Sequence, residues 1–389
     1  MKKVVLAYSG GLDTSCCIQW LRDKGLDVVC FSANLGSEFS PADLRTRALK
    51  SGASKVFVED LRKEFAADYI VPWLKSGALY EGKYVLSTSL GRPLIAKHLV
   101  DVALAEKAEY VAHGCTGKGN DQVRFEITTM ILAPRIKTIA PLREWELATR
   151  EEEIEYAKKH KLPIKTTKEK VYSIDKNIWG VSVEGGVLED IEQEPPLNSY
   201  YFIKPLKSAA EKEEYVDITF EKGVPVALNG KKKDLVGLIE QLNVLGAKHG
   251  VGRTDVIEDR VVGIKSREIY EAPAAWILYT AHKELEHLTL DRETFFFKES
   301  IGLKYAQIVY QGLWFTDLKQ ALDAFIERTQ QRVSGVIGLK LYKGNTVIAR
   351  RRSQHALYKK AMATYGEGDQ FDRTLAEGFI KLWGLPFKR

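Results

Sequence analysis

Cysteine is scarce in this 389-residue chain: Cys16, Cys17, Cys30 and Cys115, all in the first third. No two of them form a CxxC pair, and none stands at zinc-ligand spacing from a histidine, which argues against a structural zinc site or a disulfide scaffold. A reducing, cytoplasmic setting is expected. Cys16 and Cys17 are adjacent in a helix-like stretch and are expected to pack rather than react. No apolar run approaches the ~20 residues that cross a bilayer, and the one after Met1-Lys2-Lys3 is too short for a signal peptide. No membrane partner is therefore expected. Internal repeats, low-complexity tracts and any obvious Ser/His/Asp or Cys/His arrangement are missing. Positive charge is thin: the net charge is +6, with a pI near 8.8. That balance suits anionic small ligands and lacks the dense basic stripe of a nucleic-acid binder. Lys231-Lys232-Lys233 and Arg350-Arg351-Arg352 read as solvated surface.

What is present is concentrated near the start. The apolar run Val4-Val5-Leu6-Ala7 leads into Tyr8-Ser9-Gly10-Gly11-Leu12-Asp13-Thr14-Ser15, and a helix-like segment from Cys16 to Leu21 follows. Strand, small-residue turn and helix form a phosphate cradle. Glycine lets the backbone approach a bulky anion, and the free amides of the helix's first turn point at it. Ser9, Thr14 and Ser15 add hydroxyl donors. The loop is neither GxxxxGK[ST] nor GxGxxG. It resembles the SGGxDS signature of the ATP pyrophosphatases, which split ATP between the α and β phosphates and adenylate an oxygen. The alternative is a plain tight turn, which needs glycine but neither three hydroxyls nor an acid.

Length allows two domains. In the first, strand-like runs (Val4–Tyr8, Val28–Ala33, Lys55–Val58, Tyr110–Ala112, Lys137–Ala140) alternate with helical patterns (Pro41–Lys50, Leu61–Lys75, Pro93–Glu106). This pattern predicts an α/β fold with a parallel sheet covered on both faces. Ligands of such sheets sit beyond the carboxyl ends of the strands. The phosphate loop, Ser32-Ala33-Asn34 and His113-Gly114-Cys115-Thr116-Gly117 should therefore meet on one edge. A helix over Arg150–His160, with acids in its first turn, precedes a boundary near residues 162–170. Beyond it, strand-like pieces (Tyr215–Glu221, Val224–Leu228, Arg260–Ile264) mix with helices (Asp234–Leu245, Ala272–Leu285), as in an α+β domain. An amphipathic pattern over Asp369–Trp383 forms a terminal helix that packs on its own domain or reaches a neighbouring subunit.

The second polar island runs from His113 to Glu126. Its groups could hold an amino acid: Lys118 or the Thr116 hydroxyl for a carboxylate, Asp121 for an ammonium, Arg124 for a carboxylate bidentately. The alternative is a helix start near Gln122 capped by Asn120 or Asp121, with surface charges.

Together the motifs resemble the argininosuccinate synthase family. AYSGGLDTS stands at Ala7–Ser15 and HGCTGKGNDQVRFE at His113–Glu126. A block over Gly250–Pro273, the segments Tyr84–Pro93 and Ser173–Asn177, and Ser182–Gly186 match too. The resemblance covers residues 4 to about 290 in order. It implies an N-terminal ATP pyrophosphatase domain (1–165, adenine nucleotide α-hydrolase-like), a synthetase domain (166–364) and a C-terminal oligomerisation helix (365–389).

The resemblance also implies a reaction belonging to arginine biosynthesis and the urea cycle. The citrulline ureido oxygen attacks the α-phosphorus of ATP, giving citrullyl-AMP and pyrophosphate. The aspartate amine then displaces AMP to give argininosuccinate. By the same resemblance, Ala7, Tyr8, Ser9, Gly10, Gly11, Leu12, Asp13, Thr14 and Ser15 cradle the phosphates, and Ala33 and Gly114 flank the adenosine. Thr116, Asn120 and Asp121 hold aspartate. Tyr84, Ser89, Asn120, Arg124, Ser173, Ser182, Glu258 and Tyr270 hold citrulline. Ser9, Asp13, Asn120, Asp121 and Arg124 stand closest to the chemistry. Mg²⁺ binds through phosphates and waters, with Asp13 a candidate ligand, and the assembly is a homotetramer. Without the family, Tyr84 and Tyr270 could be core aromatics and Glu258 a surface ion pair with Arg260. Two other functions share the loop: a tRNA-modifying pyrophosphatase, which needs paired reactive cysteines, and a non-catalytic nucleotide sensor.

Overall fold

Five short parallel strands, β1 (Lys2–Ala7), β2 (Leu26–Asn34), β3 (Lys55–Asp60), β4 (Tyr110–His113) and β5 (Lys137–Ile139), form the first sheet in the order β3-β2-β1-β4-β5. They fall where the apolar runs place them. A computed structural model describes residues 1–37, 40–147, 149–163 and 172–388. Val4, Val5, Leu6, Val28, Val29 and Cys30 are buried, as strands covered on both faces must be. β1 pairs with β2 on one side and β4 on the other. Chain order reverses there, which opens a crevice at the carboxyl ends of β1, β2 and β4.

In the first half the helices deviate from their sequence patterns in two places, each with a local cause. Leu61–Lys75 is not one α-helix. It runs through Arg62–Glu64, a π-helical turn Phe65–Ile70 and a helix Val71–Ser76. Pro72 lacks the amide that would continue the regular ladder, and the wider turn keeps Phe65, Tyr69 and Trp73 buried. The expected Pro93–Glu106 helix begins earlier and spans Ser87–Ala105, with Pro93 inside. Its start is fixed by Tyr84, whose hydroxyl oxygen accepts from the Thr88 and Ser89 amides at 3.2 and 3.3 Å.

The second half carries β6 (Ser173–Asn177), β7 (Gly180–Glu184), β8 (Glu214–Glu221), β9 (Val224–Leu228), β10 (Lys231–Lys232), β11 (Arg253–Asp259), β12 (Lys265–Glu271), β13 (Gly335–Tyr342) and β14 (Asn345–Arg352). They make a five-stranded sheet, β10-β9-β8-β13-β14, and a four-stranded one, β11-β12-β7-β6. Helices Leu235–Lys248, Pro273–Thr289, Arg292–Tyr310 and Asp317–Thr329 pack among them. The fold is α/β with an α+β second half, as expected.

Arg260–Ile264 is not a strand but the turn joining β11 to β12. Arg260 N bonds Ile264 O, Gly263 N bonds Arg260 O, and Gly263 sits at φ +89°, a conformation that favours glycine. Of the expected terminal helix only Leu375–Trp383 is helical. Before it, Asp369 and Asp372 accept from the Phe371 and Thr374 amides, local turns that compete with helix.

The expected boundary near 162–170 lies almost wholly outside the described residues. One apolar core is continuous across both halves. At its centre Trp73 and Trp179 meet edge to face, 5.2 Å between centroids.

Candidate active site

The helix Leu12–Asp23 begins with Gly11 at its cap position and no side-chain cap. Its first intrahelical bond runs from Ser15 N to Gly11 O, so the Leu12, Asp13 and Thr14 amides precede the ladder and stay available to an anion. Gly10 stands at φ +78°, and a Cβ there would lie 2.3 Å from Leu44 Cδ2. The Ser9 and Thr14 hydroxyls are 3.0 Å apart, and Ser9 Oγ accepts from the Gly11 amide at 3.3 Å. Ser15 Oγ instead donates to Gly11 O at 2.8 Å, and Leu12 packs with Cys16, Ala157 and Leu162. Burial and the neighbouring Asp13 carboxylate push Glu153 up to about 8. Gly114, after β4, lets its segment reach the loop: a Cβ there would stand 2.8 Å from Thr14 Cγ2.

Loop 113–120 leads into helix Asp121–Leu132. Asn120 holds the cap position without capping. Its amide nitrogen donates to the Tyr310 hydroxyl at 2.8 Å, and its oxygen accepts from the Val261 amide at 2.8 Å. Asp121 is gripped from two sides, by Arg92 Nε and Arg124 Nη1, at 2.8 and 2.9 Å. Arg92 also bonds Asp175. Burial pushes the Asp121 carboxyl up, but the two guanidiniums outweigh it and hold it below its ordinary value. Arg124 Nε donates to Tyr310 O at 3.0 Å, which leaves Nη2 uncommitted among the described residues. The capping alternative therefore fails for Asn120, Asp121 and Arg124, while Thr116 and Lys118 are exposed.

The far wall is the four-stranded sheet. Ser182 pairs in register with Tyr270 and Asp175, and Ser173 with Glu184. Strand alternation puts Ser173, Asp175, Ser182, Glu184, Glu268 and Tyr270 on one face, and all six line the cavity. Val181, Val183 and Ile269 form a small core with Tyr172 and Leu188.

Glu258 is 2% exposed. Its two oxygens accept from the Tyr270 and Tyr310 hydroxyls at 2.6 and 2.7 Å. Burial pushes Glu258 above its ordinary value, and the two hydroxyls, with Arg124 and Arg260, oppose that rise. The alternative of a surface Glu258–Arg260 ion pair fails: Glu258 is buried and bonds Tyr270 and Tyr310. Arg260 instead bonds Glu184, Ser266 and, at 2.7 Å, Glu268. Burial, then the Glu184 carboxylate, push Glu268 up to about 9. Tyr84 stacks on Tyr270 at 3.9 Å and bonds Thr88 and Ser89.

A single cavity of about 900 Å³ is lined by Ala7, Tyr8, Ser9, Asp13, Thr14, Ala33, Tyr84, Ser89, Gly114, Thr116, Asn120, Asp121, Arg124, Ser173, Ser182, Glu258 and Tyr270. Gly10, Gly11, Leu12 and Ser15 are not part of that lining, and Gly11 is exposed. Arg92, Asp175, Glu184, Arg260 and Glu268 also line it, and Tyr310 supports it. From the sequence alone none of these six has a place at the site, Arg260 appearing only as an alternative surface partner of Glu258. Arg92, Asp175, Glu184, Arg260 and Glu268 all stand inside motif segments already singled out, whereas no motif marks Tyr310. The four cysteines are free, and burial raises every thiol, so they pack rather than react.

Comparison with known proteins covers both halves. Residues 3–163 match the family model described as the arginosuccinate synthase N-terminal HUP domain, and residues 172–389 match the arginosuccinate synthase C-terminal domain. The argininosuccinate synthase of Caldanaerobacter subterraneus subsp. tengcongensis is 54% identical over 388 residues, covering 100% of this chain and 95% of the relative. That of Chlorobaculum parvum is 54% identical over 389 residues, covering 100% and 97%. That of Rubrobacter xylanophilus is 52% identical over 388 residues, covering 100% and 95%. With the phosphate loop, the polar island and the sheet wall on one cavity, and two family models following each other along the sequence, the chain belongs to the argininosuccinate synthase family.

Proposed function

We propose that this enzyme ligates L-citrulline to L-aspartate, consuming ATP and forming argininosuccinate, AMP and pyrophosphate, a step of arginine biosynthesis. One observation carries the proposal: a phosphate cradle, a paired acid–base island and a buried carboxylate wall share one cavity large enough for a nucleotide and two amino acids.

Two displacements account for the reaction. The ureido oxygen of citrulline attacks the α-phosphorus, the bond to the bridging oxygen breaks, and pyrophosphate leaves into the cradle of Ser9, Gly10, Gly11, Thr14 and Ser15. The aspartate amine then attacks the activated ureido carbon, its C–O bond breaks with AMP departing, and the nitrogen gives up a proton. Alignment and charge neutralisation provide the acceleration.

In this scheme Ala33 and Gly114 flank adenosine. Thr116, Asn120 and Asp121 hold aspartate, Asp121 through its ammonium. Tyr84, Ser89, Asn120, Arg124, Ser173, Ser182, Glu258 and Tyr270 hold citrulline. Arg124 meets the citrulline carboxylate with Nη2, and Glu258 accepts from a ureido nitrogen with the lone pairs its tyrosines leave free. No cluster of three His, Cys, Asp or Glu among the described residues could hold a metal. Asp13, on the cavity beside the cradle, is the carboxylate that would hold Mg²⁺ together with the phosphates. Bound there, the ion neutralises phosphate charge.

We further propose domains at 1–165 and 166–364, with 365–389 as an arm of a homotetramer. The exposed apolar face of helix Leu375–Trp383 supports that arm: Phe379 is 62% and Trp383 63% exposed. No helix among the described residues is long and apolar enough to cross a membrane. The free cysteines fit a cytoplasmic home.

Pyrophosphate release from ATP tests the reaction. It should require citrulline, and AMP and argininosuccinate should appear in equal amounts when aspartate is added. ATP binding without turnover would favour a nucleotide sensor instead.

A further inference from the structure

Tyr310 ends the long helix Arg292–Tyr310 and is 1% exposed. It does not line the cavity, yet it touches three residues that do. Its hydroxyl donates to Glu258 Oε1 at 2.7 Å and accepts from Asn120 Nδ2 at 2.8 Å. Its carbonyl accepts from Arg124 Nε at 3.0 Å, and the Arg124 guanidinium lies 5.0 Å from its ring centroid. The ring also stacks on Tyr80, at 3.6 Å between centroids and 5° between planes. Two residues on, Gly312 sits at φ +76°, where a Cβ would stand 2.8 Å from Arg124 Cα. The chain end of this helix is thus shaped to fit Arg124.

Glu258 belongs to the second half of the chain, and Asn120 and Arg124 to the first. Given the activity proposed above, we infer that Tyr310 is a positioning residue: it locks Glu258, Asn120 and Arg124 into one citrulline-reading constellation across the two halves of the molecule.

The hydroxyl's two bonds set a direction. Asn120 can only donate through Nδ2, so the Tyr310 proton is directed to Glu258. That donation favours the charged carboxylate, and a charged carboxylate is what a ureido N–H needs as acceptor. Around Glu258 stand Tyr80, Tyr84, Tyr270 and Tyr310, the cations Arg124 and Arg260, and the acid Glu268. Tyr270 donates to the other oxygen. Removing the Tyr310 proton leaves burial less opposed, so Glu258 gains a proton at a higher pH.

Tyr310→Phe keeps the ring, its stack on Tyr80 and the carbonyl bond to Arg124, and removes only the hydroxyl. We expect the full-length variant to fold. The Michaelis constant for citrulline should rise about ten- to a hundredfold, the scale of a lost charge-assisted hydrogen bond, with that for ATP within twofold. The acid limb of kcat/KM for citrulline should move to higher pH, a shift that a merely structural role would not give. In a Glu258→Gln background the same substitution should move no limb.

Should Tyr310→Phe not fold, Tyr310→3-fluorotyrosine keeps ring and hydroxyl and strengthens the donor, and the acid limb should move to lower pH. An unmoved acid limb in either folded variant overturns the inference. Wild-type enzyme measured alongside separates the two failures, since citrulline-independent behaviour of the wild type would overturn the proposed reaction itself.

Discussion

Glu258 shows most plainly how burial becomes chemistry. It is an acid in a nearly closed site, held above its ordinary value by burial and restrained by two tyrosines and two arginines. The sign for activity follows. As pH falls through this raised value the carboxylate protonates and loses acceptor lone pairs, and in the role proposed for it would stop reading a ureido nitrogen. We expect the acid limb of kcat/KM for citrulline to stand above the 4.5 of an ordinary glutamate, and Glu258→Gln to abolish that limb. A limb unchanged in Glu258→Gln would remove Glu258 from the account. Arg92 offers a second test. It shares Asp121 with Arg124 and binds Asp175. Arg92→Ala would leave Asp121 half-neutralised, and removing one partner of a buried pair costs about 3–5 kcal/mol. Arg92 and Asp121 are only partly enclosed, so the low end or less is the expectation, read as a lower melting temperature. A rise in the Michaelis constant for aspartate should accompany it. Wild-type values for both would show that Arg124 alone suffices.

At the scale of elements, the β11–β12 hairpin works as a clasp. Its turn gives the Val261 amide to Asn120 and an Arg260 guanidinium hydrogen to Lys118 O at 3.3 Å. At its β11 end, Asp259 O accepts from the Tyr80 hydroxyl at 2.7 Å. Val261→Pro removes the amide and should raise the Michaelis constants for both amino acids about threefold to tenfold, the worth of one neutral hydrogen bond. Val261→Ala keeps the amide and should match wild type; equal behaviour of the two variants would dismiss the clasp. The same hairpin marks where sequence legibility ended. Parallel strands were readable because β-branched runs buried on both faces leave a continuous apolar signal. The phosphate loop was readable because glycine, hydroxyl and acid stand together in seven residues. Arg260–Ile264 looked extended because valine and isoleucine dominate it, but Gly263 makes it a turn. Local propensity also hid the π-turn at Phe65–Ile70, since Phe65, Tyr69 and Trp73 keep helical spacing through it. Tyr310 was invisible for a different reason: its role comes from contacts at 52 and 190 residues' separation, which no local pattern carries. Without the family resemblance, Ser173, Ser182 and Glu258 would have been equally silent.

For the whole molecule, two features extend beyond one cavity. The core is continuous across both halves, so the cavity lies between parts that are already packed, with Asn120, Arg124 and Glu258 tied through Tyr310. The chain then ends in a helix whose apolar residues, Leu375, Phe379, Ile380 and Trp383, are all exposed. Large exposed apolar faces mark association surfaces, and a second copy of this chain is the proposed cover. Deleting the residues after Tyr365 should leave the fold intact and shift the mass measured by light scattering to smaller species. An unchanged mass would place the subunit contacts elsewhere.

The central claim is the joining of a phosphate cradle to an amino-acid ligation, and pyrophosphate release addresses it most directly. Purified protein with ATP and Mg²⁺ would be assayed with citrulline and aspartate together, with each alone and with neither. We expect release only with citrulline present, and AMP and argininosuccinate in equal amounts once aspartate joins. Silence with both amino acids, in protein that binds ATP, would contradict the account and leave the loop a cradle without this chemistry.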